Sequence, residues 1–422
     1  MPSANGEVLP TLPLRRPMDL HTLVSVYQFQ DSAADALIVD ILRRLEEWYF
    51  QFDLEACLGL LAFLGAYRLN LAVPLWLHLI GDSSSGKTEA LMNLLAEVSP
   101  DHHLQGELGV NTLLSGLSKG RGNGHMNSLL HRIGPRGMLI FPDFTTFLEA
   151  DVLTIRTVAG QLRAVFDGHH KREVGNDKKI EWRGNLSLVT ALTPSREQAW
   201  VGNNPGGERF ATLRWRQGEN REELALRAIG NSLSHEQKTE RYTQVREMVR
   251  KLADGDVELG LGELQTPRSP EIDELNAFQI PALASLVAMS RNQPARTDGT
   301  ASHKLNDESP GRIGQQLVNA ARGLAALRRK EEITATELEL VRRVAVDTIP
   351  AERRWILDAF ELSGETEMQP AEIKPWTGYK TEAGLGRALQ DMYAVDILAK
   401  SGRTYRLSER FADLLRMIGG LN

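Results

Sequence analysis

The sequence predicts an α/β protein: a mostly parallel sheet with flanking helices, entered through N-terminal helices and followed by a largely helical C-terminal half. Three observations carry that prediction. The apolar segments 75–80 (LWLHLI), 138–141 (MLIF) and 186–193 (LSLVTALT) have the length of buried parallel strands. Helix-like stretches separate them, the alternation that builds a parallel sheet covered on both faces. A serine- and glycine-rich turn joins the first of these strands to the helix-forming run EALMNLLAEV.

Bulk properties set the frame. With 422 residues, 42% of them hydrophobic, the chain can bury a full core over roughly two to four domains. A net charge of −6 excludes a uniformly basic nucleic-acid binder, so any such contact has to come from local cations. The single cysteine, Cys57, excludes an intramolecular disulfide framework and a cysteine-rich zinc site, and reads as a small core residue. Its apolar run, 56–67, ends at Arg68, short of the roughly 20 residues that span a bilayer. No membrane segment and a cytoplasmic setting are expected.

Taken in order, residues 1–30 read as a disordered lead-in, with prolines and two arginines but no apolar stretch behind them. Residues 31–70 form a helical segment that opens on Asp31 or Ser32 as N-cap. The α/β core covers 71–217, a helical linker and lid 218–350, and a further small domain 351–422.

Gly81-Asp82-Ser83-Ser84-Ser85-Gly86-Lys87-Thr88 fits G-x-x-x-x-G-K-[ST] between a strand and a helix. Glycines at 81 and 86 let the backbone curl so that successive N–H groups face phosphate oxygens, and the helix N-terminus adds its positive end. Lys87 is placed to reach the β and γ oxygens, and Thr88 to offer its hydroxyl to Mg2+. The pattern calls for ATP and Mg2+ as cofactors.

The other half of such a site is an apolar strand ending in acid. Residues 137–147 (GMLIFPDFTTF) supply the strand but one carboxylate in place of the usual pair. In the common pattern an Asp after the strand orders the Mg2+ shell, and a Glu beside it activates water. If 138–141 is the strand, Pro142 stands at the Asp position and Asp143 at the Glu position. A one-residue bulge instead puts Asp143 on the metal and leaves no adjacent base, with Glu149 or Asp151 as acids to recruit. A cap on the following helix is a third role for Asp143, and the sequence leaves all three open.

The order of these parts resembles an AAA+ ATPase, and within that superfamily the minichromosome maintenance-like helicases, as found in bacterial mobile elements. The resemblance covers roughly residues 70 to 350. After a helix at 155–166, HHKREV, Gly175-Asn176-Asp177 and KKIEWR form a hairpin by their turn chemistry alone. A hairpin at this place in the clade projects into a central channel, so the resemblance implies DNA contacts by Lys171, Arg172, Lys178 and Lys179. The alternative is a solvated surface hairpin. The pairs His169-His170 and His102-His103 have no partners at ligand spacing and read as surface.

The resemblance further makes Thr193, before Pro194, the sensor of the attacking water or γ-phosphate. Arg209, before Phe210, becomes the arginine finger for a neighbouring subunit's site. Arg312, near the start of a long helix, becomes the second sensor, with Thr334 or Thr336 capping the helix after it. The basic stretch 116–137, with Lys119, Arg121 and His125, lies where the clade inserts another hairpin.

Residues 351–422 read as helix, helix, turn, helix and a two-stranded ribbon turning at Ser401-Gly402: a winged helix. By family analogy the helix 382–392 is its recognition element, with Lys380 and Arg387 nearby and Lys400, Arg403 and Arg406 on the wing, and protein binding or regulation is the alternative use of such a module. Together the resemblance implies an ATPase assembled as a hexameric ring that couples hydrolysis to DNA translocation, unwinding or remodelling. Its setting would be mobile-element replication, with an accessory replication or defence protein as a further partner. An ATP-gated DNA-binding regulator or initiator with slow hydrolysis, and a MoxR-like or antiphage protein remodeller, are the alternatives.

Overall fold

A computed structural model describes residues 16–115, 128–174, 178–203, 209–218, 222, 226, 233–267, 276–297, 300–305 and 308–420. Lys119, Arg121, His125 and the 175–177 turn lie outside the described residues. The chain is an α/β protein whose main sheet has, among the described residues, five strands, all parallel, in the spatial order 102–104, 136–141, 185–192, 76–80 and 211–214. The three expected apolar segments become β1 (Trp76–Ile80), β3 (Arg136–Phe141) and β6 (Asn185–Leu192). Two edge strands were not expected: β2 (His102–Leu104) and β7 (Ala211–Arg214). Each is too short to show a periodicity. His102, expected at the surface, is buried on β2, where Nδ1 bonds Leu95 O at 2.6 Å.

Two antiparallel strands, β4 (His169–Val174) and β5 (Lys178–Arg183), make the expected hairpin between α6 (Val152–Phe166) and β6. One face of the sheet packs Trp76, Ile80, Leu139 and Phe141 against Ile155, Val158, Leu162 and Phe166 of α6.

The other layer begins with α1 (Leu20–Val26), a short helix inside the stretch expected as disordered lead-in. Next come α2 (Ala33–Trp48), capped by Ser32 on the Asp35 N–H, and α3 (Leu54–Arg68), capped by Asp53 on the Ala56 N–H. LEACLGLLAFLGAYR is apolar all round, so α3 can only be a buried helix. Gly59 lets it approach Leu213 of β7, which makes the N-terminal helices part of the core rather than a prelude to it. The phosphate-loop motif leads into α4 (Lys87–Leu94), and α5 (Leu129–Ile133) and α7 (Pro194–Asn203) complete the connections.

The chain packs as two units: Arg16–Ser269 with Val318–Val341, and Pro270–Leu317 with Arg342–Asn422. The span 218–350, expected as one linker and lid, is therefore divided between them. Within the first, helix His235–Asp254 holds the end of α4, with Arg246 Nε donating to Met92 O (2.9 Å) and Arg250 Nε to Val98 O (2.9 Å). Met92 O is among the last carbonyls of α4, where a basic side chain complements the helix dipole, and Val98 O belongs to the turn after it. The later part of helix Pro310–Leu327 lies on α3 so closely that a Cβ on Gly65 would overlap the Gly323 backbone and a Cβ on Gly323 the backbone of Ala62 and Ala66. Beyond it, buried Arg328 is paired with Asp35 (2.8 Å) and Glu337 (2.8 Å) and also donates to the carbonyls of Tyr27 and Gln28. A buried cation with its donors satisfied this fully fixes one arrangement of these helices.

The second unit carries helix Ala351–Ser363, helix Pro370–Ile373, helix Glu382–Ala394, the ribbon Leu398–Ser401 with Thr404–Leu407, and helix Glu409–Ile418. This is the helix, helix, turn, helix and ribbon order expected, with a third strand, Glu367–Met368, added beside 404–407. No helix among the described residues is long and apolar enough to cross a membrane.

Candidate functional site

The site lies at the carboxyl ends of β1, β6 and β3, the usual place for ligands on an open parallel sheet. From β1 the chain turns at Gly81, whose N–H donates to Leu192 O (3.1 Å), and passes through Ser84 (φ 61°) to Gly86 (φ 100°). Gly86 is the N-cap of α4 and offers no side chain to its first turn, an arrangement in which the N–H groups of a helix start can face an anion. Asp82, Ser83 and Ser84 are exposed and Lys87 is buried. Lys87 Nζ arches back over the loop to Gly81 O (2.8 Å), Asp82 O (2.6 Å) and Ser85 Oγ (3.2 Å). Burial pulls its pKa below the ordinary lysine value, against the opposing pull of Asp82 and Asp143.

Thr88 Oγ1 donates to Pro142 O at 3.4 Å, which joins the loop to the end of β3. That strand stops at Phe141, opposite Thr190 of β6. Continued without interruption, the ladder would next bond to β6 through residue 143; instead the Phe144 N–H bonds Ala191 O (2.7 Å). One residue is inserted between Phe141 and Phe144, the stretch that holds Pro142. The molecule thus has the bulged register, and Asp143 is exposed, one residue past the Pro142 carbonyl that Thr88 reaches. Asp143 caps no helix; its Oδ1 accepts the Thr145 N–H (2.9 Å) in a local turn.

Neither acid considered as a substitute base stands idle. Glu149 pairs with Arg196 (2.9 Å). Asp151 is the N-cap of α6 and accepts from both the N–H and the hydroxyl of Thr154, which hold its pKa below the usual carboxylate value.

Because β6 lies between β1 and β3, Thr193 at its tip falls between the phosphate loop and Asp143. Its hydroxyl is 3.1 Å from Ser195 Oγ. Arg209 is buried. Phe210 stacks on buried His78 (3.8 Å, 8°), which draws Arg209 inward over the Phe166 ring (5.7 Å) and to Asp167 (3.6 Å). Arg312 belongs to the second unit and is half-buried on helix Pro310–Leu327.

The expected DNA contacts divide. On the hairpin, period-two alternation puts His170, Arg172, Ile180 and Trp182 on the inward face. Arg172 donates there to Val110 O (2.9 Å) and Leu114 O (3.0 Å), and buried His170 is not surface. Lys171 and Lys179 face outward, each near a cross-strand glutamate: Lys171 with Glu181 and Lys179 with Glu173, both at 3.5 Å. The Lys178 side chain lies outside the described residues. In the C-terminal unit Lys380, Arg387, Lys400 and Arg403 are all exposed. Lys400 lies over Tyr405 (5.4 Å), and the other three form no ion pair among the described residues.

No protein-family model matches the chain, and a search of curated proteins finds no relative.

Proposed function

We propose that this chain is an ATP-binding hydrolase of the AAA+ class, similar to the minichromosome maintenance-like helicases, that assembles as a ring and couples nucleotide turnover to work on DNA. One observation carries the reading: a glycine-hinged loop with Lys87 and Thr88, joined through Thr88 and Pro142 to a strand end bearing Asp143, with Thr193 between them. These residues fit a magnesium–triphosphate. The loop N–H groups and Lys87 would bind the β and γ oxygens, and Thr88 and Asp143 would hold the metal. Bound ATP and Mg2+ supply the phosphoanhydride and the charge neutralisation that make transfer to water accessible. Lys87 has to leave the three loop oxygens it now contacts and turn to phosphate, and Thr193 is placed to orient a water. Arg209 acts as a finger only if assembly exchanges Asp167 and Phe166 for a neighbour's nucleotide.

The bulged Asp143 and inward Arg209 favour a second reading, an ATP-gated DNA-binding switch with slow hydrolysis. Steady-state turnover of the wild type with and without DNA, beside Lys87→Ala and Asp143→Asn, separates the two. A motor shows DNA-stimulated turnover that falls roughly 100-fold in Asp143→Asn while nucleotide still binds. A switch turns over slowly with or without DNA. Normal hydrolysis by Asp143→Asn removes Asp143 from the site.

A further inference from the structure

Trp215 follows β7 directly and is anchored by its N–H to Ile80 O (2.7 Å), one residue before the phosphate loop begins. The next residue locks the position: the Arg216 N–H donates to Asp53 (2.7 Å) and its guanidinium to Glu55 (2.6 Å) at the start of α3. The indole lies along the loop. Its Cβ stands 2.7 Å from where a Cβ on Gly81 would be, and its Cζ2 stands 3.6 Å from a Cβ on Gly86. Phe52 closes the same flank, edge-on to the indole at 4.8 Å and 2.7 Å from that Gly86 position.

Cζ2 and Nε1 are bonded to the same ring carbon, so the indole nitrogen sits next to the part of the ring that approaches Gly86. That nitrogen is buried and has no acceptor among the described residues. Two other buried indoles in the same unit are satisfied: Trp76 donates to Leu186 O (2.6 Å) and Trp182 to Gly134 O (2.7 Å). Buried tryptophan N–H groups ordinarily find partners, and a phenylalanine would fill most of the same space without an unpaired donor. A rigidly held, unpaired donor against a phosphate loop matches an oxygen-rich anion.

Resting on the nucleotide-binding reading above, we infer that Trp215 is a direct nucleotide contact whose indole Nε1–H donates to a phosphate or ribose oxygen of the molecule held by the loop. The residue is then a binding determinant supplied by the strand beside the loop rather than by the loop motif.

The test is the 15N-indole spectrum of the wild-type chain, which has seven tryptophans, titrated with a magnesium–non-hydrolysable ATP analogue, alongside calorimetric binding to Trp215→Phe. We expect one indole N–H resonance to shift downfield with saturation, that resonance to be missing from Trp215→Phe, and the variant to bind about 10-fold more weakly with an unchanged melting temperature. Saturable binding with no indole resonance moving, or equal affinity in a folded Trp215→Phe, overturns the inference. If Trp215→Phe does not fold, the wild-type spectrum alone decides. Absence of binding by the wild type, or equal binding by Lys87→Ala, overturns the nucleotide site itself and is distinguishable from either.

Discussion

The hairpin β4–β5 and the C-terminal unit both present cations, yet they hold their charge differently. On the hairpin, outward Lys171 and Lys179 each face a glutamate across the strand pair, and Arg172 is turned into the protein. In the C-terminal unit, Lys380, Arg387 and Arg403 are exposed without a described acid in contact. Exposed cross-strand pairs contribute little to stability, but they do neutralise field at the place where a phosphate would have to bind. The comparison teaches that counting lysines on a ribbon does not locate a nucleic-acid surface; their cross-strand partners decide. The C-terminal unit, not the hairpin, is the stronger candidate for DNA contact.

The largest expected effect is therefore at the C-terminal unit. Replacing Lys380, Arg387 and Arg403 together by Ala should weaken DNA binding about 10- to 100-fold and lower the slope of log affinity against log salt by roughly 2 to 3. Fluorescence anisotropy at several salt concentrations measures both. An unchanged slope breaks the comparison at its stronger end.

Next, Arg172→Ala should act on the fold, costing about 1 to 3 kcal/mol because the carbonyls of Val110 and Leu114 lose their donor. Its DNA affinity at a temperature where it is folded should match the wild type. Denaturant unfolding, read beside anisotropy, checks the separation.

Glu173→Gln with Glu181→Gln unmasks the hairpin lysines and should raise DNA affinity roughly 2- to 5-fold at low salt, an increase lost at high salt. The smallest effect is expected for Lys171→Ala with Lys179→Ala, a change within about 2-fold. A loss comparable to that of the C-terminal triple variant would restore the hairpin as the DNA-contacting element.

How much of this was legible in the chain follows from the range over which each feature is determined. The strand, glycine-bearing turn and helix around residues 76–94 were, because they are contiguous in sequence. The hairpin was too, since its turn chemistry and strand lengths are local. The side each hairpin residue faces needed the register: Arg172 stands opposite Ile180, and only their pairing shows that both point inward. The bulge after Phe141 was visible as an alternative through Pro142, but choosing it required knowing which β6 carbonyl the Phe144 N–H reaches. β7 stayed hidden because four residues of mixed polarity gain their strand conformation from pairing with β1. Trp215 was equally invisible, as its meaning comes from Gly81 and Gly86, more than a hundred residues away in sequence.

The central claim is that Lys87, now bonded to loop oxygens, is the cation that takes a triphosphate. Calorimetric titration of the wild type and Lys87→Ala with a magnesium–non-hydrolysable ATP analogue tests it most directly. The account predicts one site per chain in the wild type and a loss of at least about 10-fold in Lys87→Ala, the size expected for removing a charge-assisted phosphate contact. Equal affinity in the two proteins, or no heat of binding in the wild type, would contradict it.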